Sequence, residues 1–231
     1  MVGLFDSGSG GLNTVRYVKD MSDTTDLVYL IDRQNAPYGI KTVGELVKIT
    51  ETNIKTLTGM GADRVLIVCC TASTVYPFLS EEYKRIAIPI ISAVAKAARK
   101  ATHSHRIGLI ATKRTISSHA FGLELLDCET IEHATGELVG LIDGGLSDES
   151  VTQSDKTLIE EMLMPVLSSG VDTLILGCTH FPALYDSFVR VCHPLGIKHV
   201  INSALIGART LLEYREDDER KEKWQTTEEE E

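Results

Sequence analysis

Short, unbroken apolar runs recur along the chain, separated by longer stretches of mixed polarity. The runs are Val2–Phe5, Leu27–Ile31, Val65–Val68, Ile86–Ile91, Ile107–Ile110, Leu174–Leu176 and His199–Ile201. A strand with one face in the core alternates apolar and polar residues, whereas a continuous apolar run marks a strand covered on both faces. Between the runs, apolar residues return every three or four positions over Gly44–Met60, Thr115–Leu126 and Ser154–Leu167, and this period predicts helices there. The pattern predicts an α/β fold on parallel sheets. A helix is also expected from Ala204 onward, running into a charged end that lacks the apolar residues to pack.

The runs are duplicated. Val2-Gly3-Leu4-Phe5-Asp6-Ser7 matches Ile107-Gly108-Leu109-Ile110-Ala111-Thr112, 105 residues later. Gly61-Ala62-Asp63 leads through an apolar run to Cys69, and Gly170-Val171-Asp172 leads the same way to Cys178, an offset of 109. Two homologous lobes follow, each with a cysteine at the carboxyl end of a strand, where open α/β sheets bind ligands. Facing each other, they would hold a small molecule between two thiols. The repeat pairs Cys178 with Cys69 and leaves Cys70 open.

Three motifs carry the chemistry. The cluster Asp6-Ser7-Gly8-Ser9-Gly10-Gly11 leaves the first strand, and Asp32 closes the second, but Asn13 stands where a dinucleotide fingerprint needs glycine. Gly10 and Gly11 are read as a tight strand-to-helix turn. Asp6 is expected to be functional, because a carboxylate at that place is costly to bury without a partner. Cys69-Cys70-Thr71-Ala72-Ser73 ends a strand where a helix starts, a position expected to lower a thiol's pKa. In Gly177-Cys178-Thr179-His180-Phe181-Pro182 an imidazole two residues from a thiol can share its proton. Two thiols with separate helpers suit inversion of a stereogenic carbon, in which one removes a proton and the other returns one to the opposite face. A cysteine hydrolase would need only one. Cys128 and Cys192 are read as ordinary apolar residues; His103, His105, His133, His193 and His199 as structural or surface groups.

Composition narrows the rest. The 231 residues are 43% hydrophobic and 24% charged, which excludes a disordered chain. The net charge of -10 is concentrated at the end, since 213–231 hold ten acids and four bases. The more balanced remainder neither selects nor excludes an acidic substrate. Five cysteines, none in a CxxC pair, argue against a disulfide framework or zinc ribbon and for reduced thiols in the cytoplasm. No targeting segment or bilayer-length apolar stretch is expected, and neither nucleic acid nor membrane is an expected partner.

At these residues the chain resembles the glutamate racemases of the aspartate/glutamate racemase superfamily. The matches run from Phe5-Asp6-Ser7-Gly8 and Gly10-Gly11-Leu12 through Ala36-Pro37-Tyr38-Gly39, Cys69 with Thr71-Ala72-Ser73, Thr112 and Thr115-Ile116 to Leu176-Gly177-Cys178-Thr179-His180. The resemblance implies two pseudosymmetric parallel-sheet α/β lobes with the active site between them. The expected division is 1–95 with 203–216, then 96–202, then an acidic tail over 217–231. It also implies racemisation of glutamate with no cofactor and no metal, an amino acid as the small-molecule partner, a homodimer as a common assembly, and D-glutamate for cell-wall precursors. Cys69 and Cys178 would be the acid/base pair. Asp6 would assist Cys69, and His180 and Asp143 would assist Cys178. Substrate contacts would come from Asp6, Ser7, Pro37, Tyr38, Gly39, Cys70, Thr71, Thr115, Thr179 and His180. The chain departs from the family pattern at Cys70, where the family has Asn, at Ala95-Lys96, at the shorter Asp143 and at Asn202. These departures keep open a racemase for aspartate or another amino acid, and a non-catalytic protein on the same scaffold.

Overall fold

The computed structural model describes residues 1–22 and 25–214. The chain begins with β1 (Val2–Asp6), α1 (Leu12–Met21), β2 (Leu27–Ile31), α2 (Val43–Gly59), β3 (Arg64–Ile67), α3 (Cys70–Ser73), α4 (Glu81–Lys84), β4 (Ala87–Pro89) and α5 (Ile90–Ala101). It continues with β5 (Arg106–Ala111), α6 (Lys113–Ser117), α7 (Ala120–Glu124), β6 (Glu129–Ala134), α8 (Glu137–Asp143), α9 (Gln153–Leu167), β7 (Thr173–Gly177), α10 (Tyr185–Cys192) and β8 (His199–Asn202). A further helical stretch covers 203–214. The strands form two parallel four-stranded sheets of the same order, β2-β1-β3-β4 and β6-β5-β7-β8.

The duplication extends to individual hydrogen bonds. Asp63 N–H donates to the Met1 carbonyl at 3.0 Å, and its counterpart Asp172 N–H donates to Arg106 at 3.2 Å. Beyond β2 and β6, Asp32 N–H reaches Asp6 and Thr135 N–H reaches Ala111, both at 2.9 Å. β1 and β7 are buried at every position, because helices cover both faces of each sheet. One core fills the far side of each sheet, around Phe5 and Leu57 in the first half and Leu163 and Phe188 in the second. A third core, with Leu4, Leu66, Val94, Ile107, Leu109 and Ile175, joins the two sheets. Its spine is α5, whose Ile90, Ile91, Val94, Ala95 and Ala98 form one buried stripe. The expected lobe boundary at 95/96 falls inside this helix.

The structure corrects three local expectations. The single helix over Thr115–Leu126 is two, α6 and α7, separated at Ser118–His119, where His119 takes the left-handed conformation (φ 54°). Its ring pairs with Glu132 at 3.4 Å. The strand expected over Ile86–Ile91 ends at Pro89, and Ile90 opens α5. Strand β6 was missed because Glu129-Thr130-Ile131-Glu132-His133-Ala134 is the half-polar sequence of a sheet edge, not a continuous apolar run. The acidic tail lies outside the described residues. Among the described residues no helix is long and apolar enough to cross a membrane.

Candidate active site

A cavity of about 550 Å³ opens between the carboxyl ends of the two sheets. Ser7, Pro37, Tyr38, Gly39, Cys69, Cys70, Thr71, Asp143, Cys178, Thr179 and His180, all singled out in the sequence, line it. Two do not. Asp6 is fully buried behind the wall, and Thr115 lies beneath Thr71 and Thr112, with the three hydroxyls 3.0–3.3 Å apart. Thr112 reaches the lining in its stead.

Each thiol sits where a strand gives way to a turn. Cys69 precedes the one-turn helix α3 and touches the Ser7 hydroxyl at 3.6 Å. Cys178 follows β7, and its turn closes through Phe181 N–H to the Cys178 carbonyl at 3.2 Å. Phe181 is fully buried against Phe188, ring centroids 6.1 Å apart, so core packing anchors the turn that presents the thiol. His180 turns Nδ1 toward Cys178 Sγ at 3.7 Å and Nε2 toward Asp143 Oδ1 at 3.2 Å. Ser9 Oγ donates to the same Asp143 oxygen at 3.4 Å. Thiol, imidazole and carboxylate form a line along which a proton can move.

Asp6 is held by two backbone donors, Ser7 N–H at 2.9 Å and Gly11 N–H at 2.7 Å. Burial raises its carboxyl pKa, against the opposing pull of His180 and of those N–H groups. The expectation that a helix N-terminus lowers the Cys69 pKa is overturned. Burial, reinforced by Asp6, pushes this thiol up to about 12. α3 is only one turn long, and its dipole is too small to offset the lost hydration. Burial likewise pushes Cys178 up to about 12, and Cys70 is raised too, by burial and by the neighbouring thiols.

Gly10 and Gly11 do more than turn the chain. A Cβ on Gly10 would lie 2.6 Å from Thr179 Oγ1 and 2.7 and 2.8 Å from the Thr179–His180 backbone, and one on Gly11 would meet the Tyr29 hydroxyl at 2.5 Å. Gly10 lets the first half press against the turn carrying His180, and Gly11 makes room for Tyr29 and Asp6 within the first half. Asn13, which removed the nucleotide reading, fastens the same contact: its Nδ2 donates to Gly10 O at 3.1 Å and Thr179 O at 3.2 Å. Asp32 accepts from the Tyr38 hydroxyl at 2.7 Å and from Asn53 at 3.0 Å, fixing the Pro37-Tyr38-Gly39 wall. Burial acts against its charge, but these hydrogen bonds prevail and lower its pKa. Asn202, at a departure from the family pattern, caps the last helical stretch through Ala204 and Leu205 N–H. Sequence reading missed Asn13, Asn53 and Arg33, which also lines the cavity. Only Arg33 had a sequence signal, as a cation beside the Pro-Tyr-Gly motif.

A family model for Asp/Glu/hydantoin racemases matches residues 13–211. A glutamate racemase of Desulforudis audaxviator is 38% identical over 200 residues, covering 84% of this chain and 71% of that protein. The structure is similar to that of a glutamate racemase from Bacillus anthracis (TM-score 0.81, 24% identity, covering 94% of this chain and 82% of the other), which bears on the fold. It is also similar to glutamate racemase from Aquifex pyrophilus (TM-score 0.73, 27% identity, 92% and 83%). The cleft with its two thiols thus stands in an amino-acid racemase: the chain belongs to the Asp/Glu/hydantoin racemase family of isomerases.

Proposed function

We propose that this protein racemises glutamate by moving a proton between Cys69, Cys178 and the substrate's α-carbon, without a cofactor. The observation that carries the reading is the pair of thiols, at equivalent ends of β3 and β7, lining one cavity. In one direction a thiolate takes the Cα proton, and the C–H electron pair stays on carbon, spread into the adjacent carboxylate. The opposite thiol then gives its S–H proton to the other face, and the two sulfurs exchange protonation states. At the raised thiol pKa values each needs a base. His180, backed by Asp143, serves Cys178. Asp6, a stronger base for being buried, serves Cys69, with Ser7 at the sulfur. The substrate's ammonium adds a positive charge that favours thiolate.

Ser7, Thr71, Thr112 and Thr179 would offer hydroxyls to the substrate's carboxylates, and Arg33, the one Lys or Arg among the lining residues, would pair with the distal carboxylate. D-glutamate for cell-wall precursors, made in the cytoplasm, is the role this activity would serve. The test is incubation of each glutamate enantiomer in deuterated water. Interconversion with deuterium entering at Cα supports the reading; neither event, with aspartate or glutamate, would overturn it. A second reading, a racemase for a different amino acid, is favoured by Cys70, which lines the cavity where the family has Asn. Faster racemisation of aspartate than of glutamate would select it.

A further inference from the structure

We propose that His105, Asp127 and Cys128 form a binding site for a zinc-like divalent cation at the end of the second sheet away from the cleft. His105 immediately precedes β5 and Cys128 immediately precedes β6, neighbouring parallel strands, so both stand at amino ends. The cleft lies at the carboxyl ends, a strand length of roughly 20 Å away at about 3.3 Å per residue.

The donor atoms of the three side chains lie within 4.8 Å of one another. Cys128 Sγ is 3.9 Å from His105 Nδ1 and 3.9 Å from Asp127 Oδ1. A tetrahedral zinc ion, with sulfur at about 2.3 Å and nitrogen or oxygen at about 2.0–2.1 Å, sets its sulfur about 3.5 Å from each of the other ligands. Closing on a cation therefore asks the sulfur's two contacts to shorten by about 0.4 Å each, and the His105 and Asp127 donors, within 4.8 Å of each other, to come to about 3.4 Å. Thiolate, carboxylate and neutral imidazole balance a divalent charge, and their softness suits zinc better than calcium or magnesium.

The ligands are also held in place. Glu129 N–H donates to the His105 carbonyl at 2.8 Å, which joins the two ligand-bearing segments through the backbone, and Cys128 N–H donates to the Leu125 carbonyl at 2.9 Å, which closes the turn before β6. Arg99 on α5 pairs through Nε with Asp127 Oδ1 at 2.9 Å, the oxygen that also faces Cys128 Sγ, and so fixes the carboxylate beside the thiol. Burial and the Asp127 carboxylate raise the Cys128 pKa, so the cation must displace a proton to bind. At this distance from the cleft the cation acts on stability.

The test is titration of the full-length protein with cobalt chloride, a spectroscopic stand-in for zinc. One equivalent should produce a thiolate-to-cobalt charge-transfer band and tetrahedral visible bands, absent in Cys128→Ser and weakened in His105→Ala and Asp127→Asn, whose circular dichroism matches the parent. Zinc chloride should raise the parent's Tm by a few degrees without doing so for Cys128→Ser. No charge-transfer band at one equivalent would overturn the proposal. So would a band that survives Cys128→Ser, which would assign the cobalt to the cleft thiols.

Discussion

His180 Nδ1 lies 3.7 Å from Cys178 Sγ, and among the described residues no imidazole occupies the corresponding place beside Cys69. Thr71 stands there, two residues beyond Cys69, and the carboxylate on that side is Asp6, from β1. The backbone is pseudosymmetric, but the chemistry on its two sides is not. Because glutamate enantiomers are equally stable in water, the loss of one helper must lower kcat/KM equally in both directions.

His180→Asn should therefore slow racemisation by about 10²- to 10³-fold from either enantiomer, the range of a lost acid/base group. Asp143→Asn should cost about tenfold or less, since its carboxylate is 53% exposed and acts through the imidazole. Steady-state rates by circular dichroism check both. An unchanged His180→Asn rate would remove the imidazole from the reaction.

Gly10→Ala should destabilise the protein by about 1–3 kcal/mol and depress activity further than stability alone explains. Its Cβ would press on the Thr179–His180 backbone, which cannot rotate away as a side chain can. Gly44→Ala is the control: nothing lies within 4 Å of its Cβ, and in α2 it should be neutral or stabilising by up to about 1 kcal/mol. Urea unfolding with parallel rate measurements separates the two effects.

Stability should fall in alkali. Burial pushes the Cys192 thiol from 9.0 up to about 12, so between these pH values the unfolded chain loses a proton that the folded chain keeps. The unfolded state then binds fewer protons, and the unfolding free energy drops by up to about 1.4 kcal/mol per pH unit for each such thiol. This contribution is complete below pH 9 and is lost as pH rises toward 12. Denaturant titrations at pH 8 and pH 10 should show the fall, and Cys192→Val, isolated from the cleft, should lessen it.

Arg33→Gln should raise KM for glutamate about two- to fivefold with little change in kcat, the modest size expected of an exposed ion pair. Raised salt should reproduce the effect in the parent and not in the variant. A monocarboxylate competitor should bind both equally. Equal KM values for glutamate would take Arg33 out of recognition.

Much of this was readable from local order. Continuous apolar runs report strands covered on both faces, and the duplicated Gly-x-Asp and cysteine units carried the two-sheet plan with both thiols at strand ends, because period and spacing belong to adjacent residues. β6 escaped for the same reason, as its edge position leaves it half-polar. Asp6, His180 and Asp143 were legible as candidates through their motifs and the family resemblance. Their connection was not, since Asp143 meets His180 across 37 positions of sequence. The Gly10–Thr179 contact and the Asn13 hydrogen bond to Thr179 span more than 160 positions and exist only once the two sheets are apposed. Burial in the folded protein also sets the thiols' acidity: it raises the pKa values that a helix start, considered alone, would have lowered.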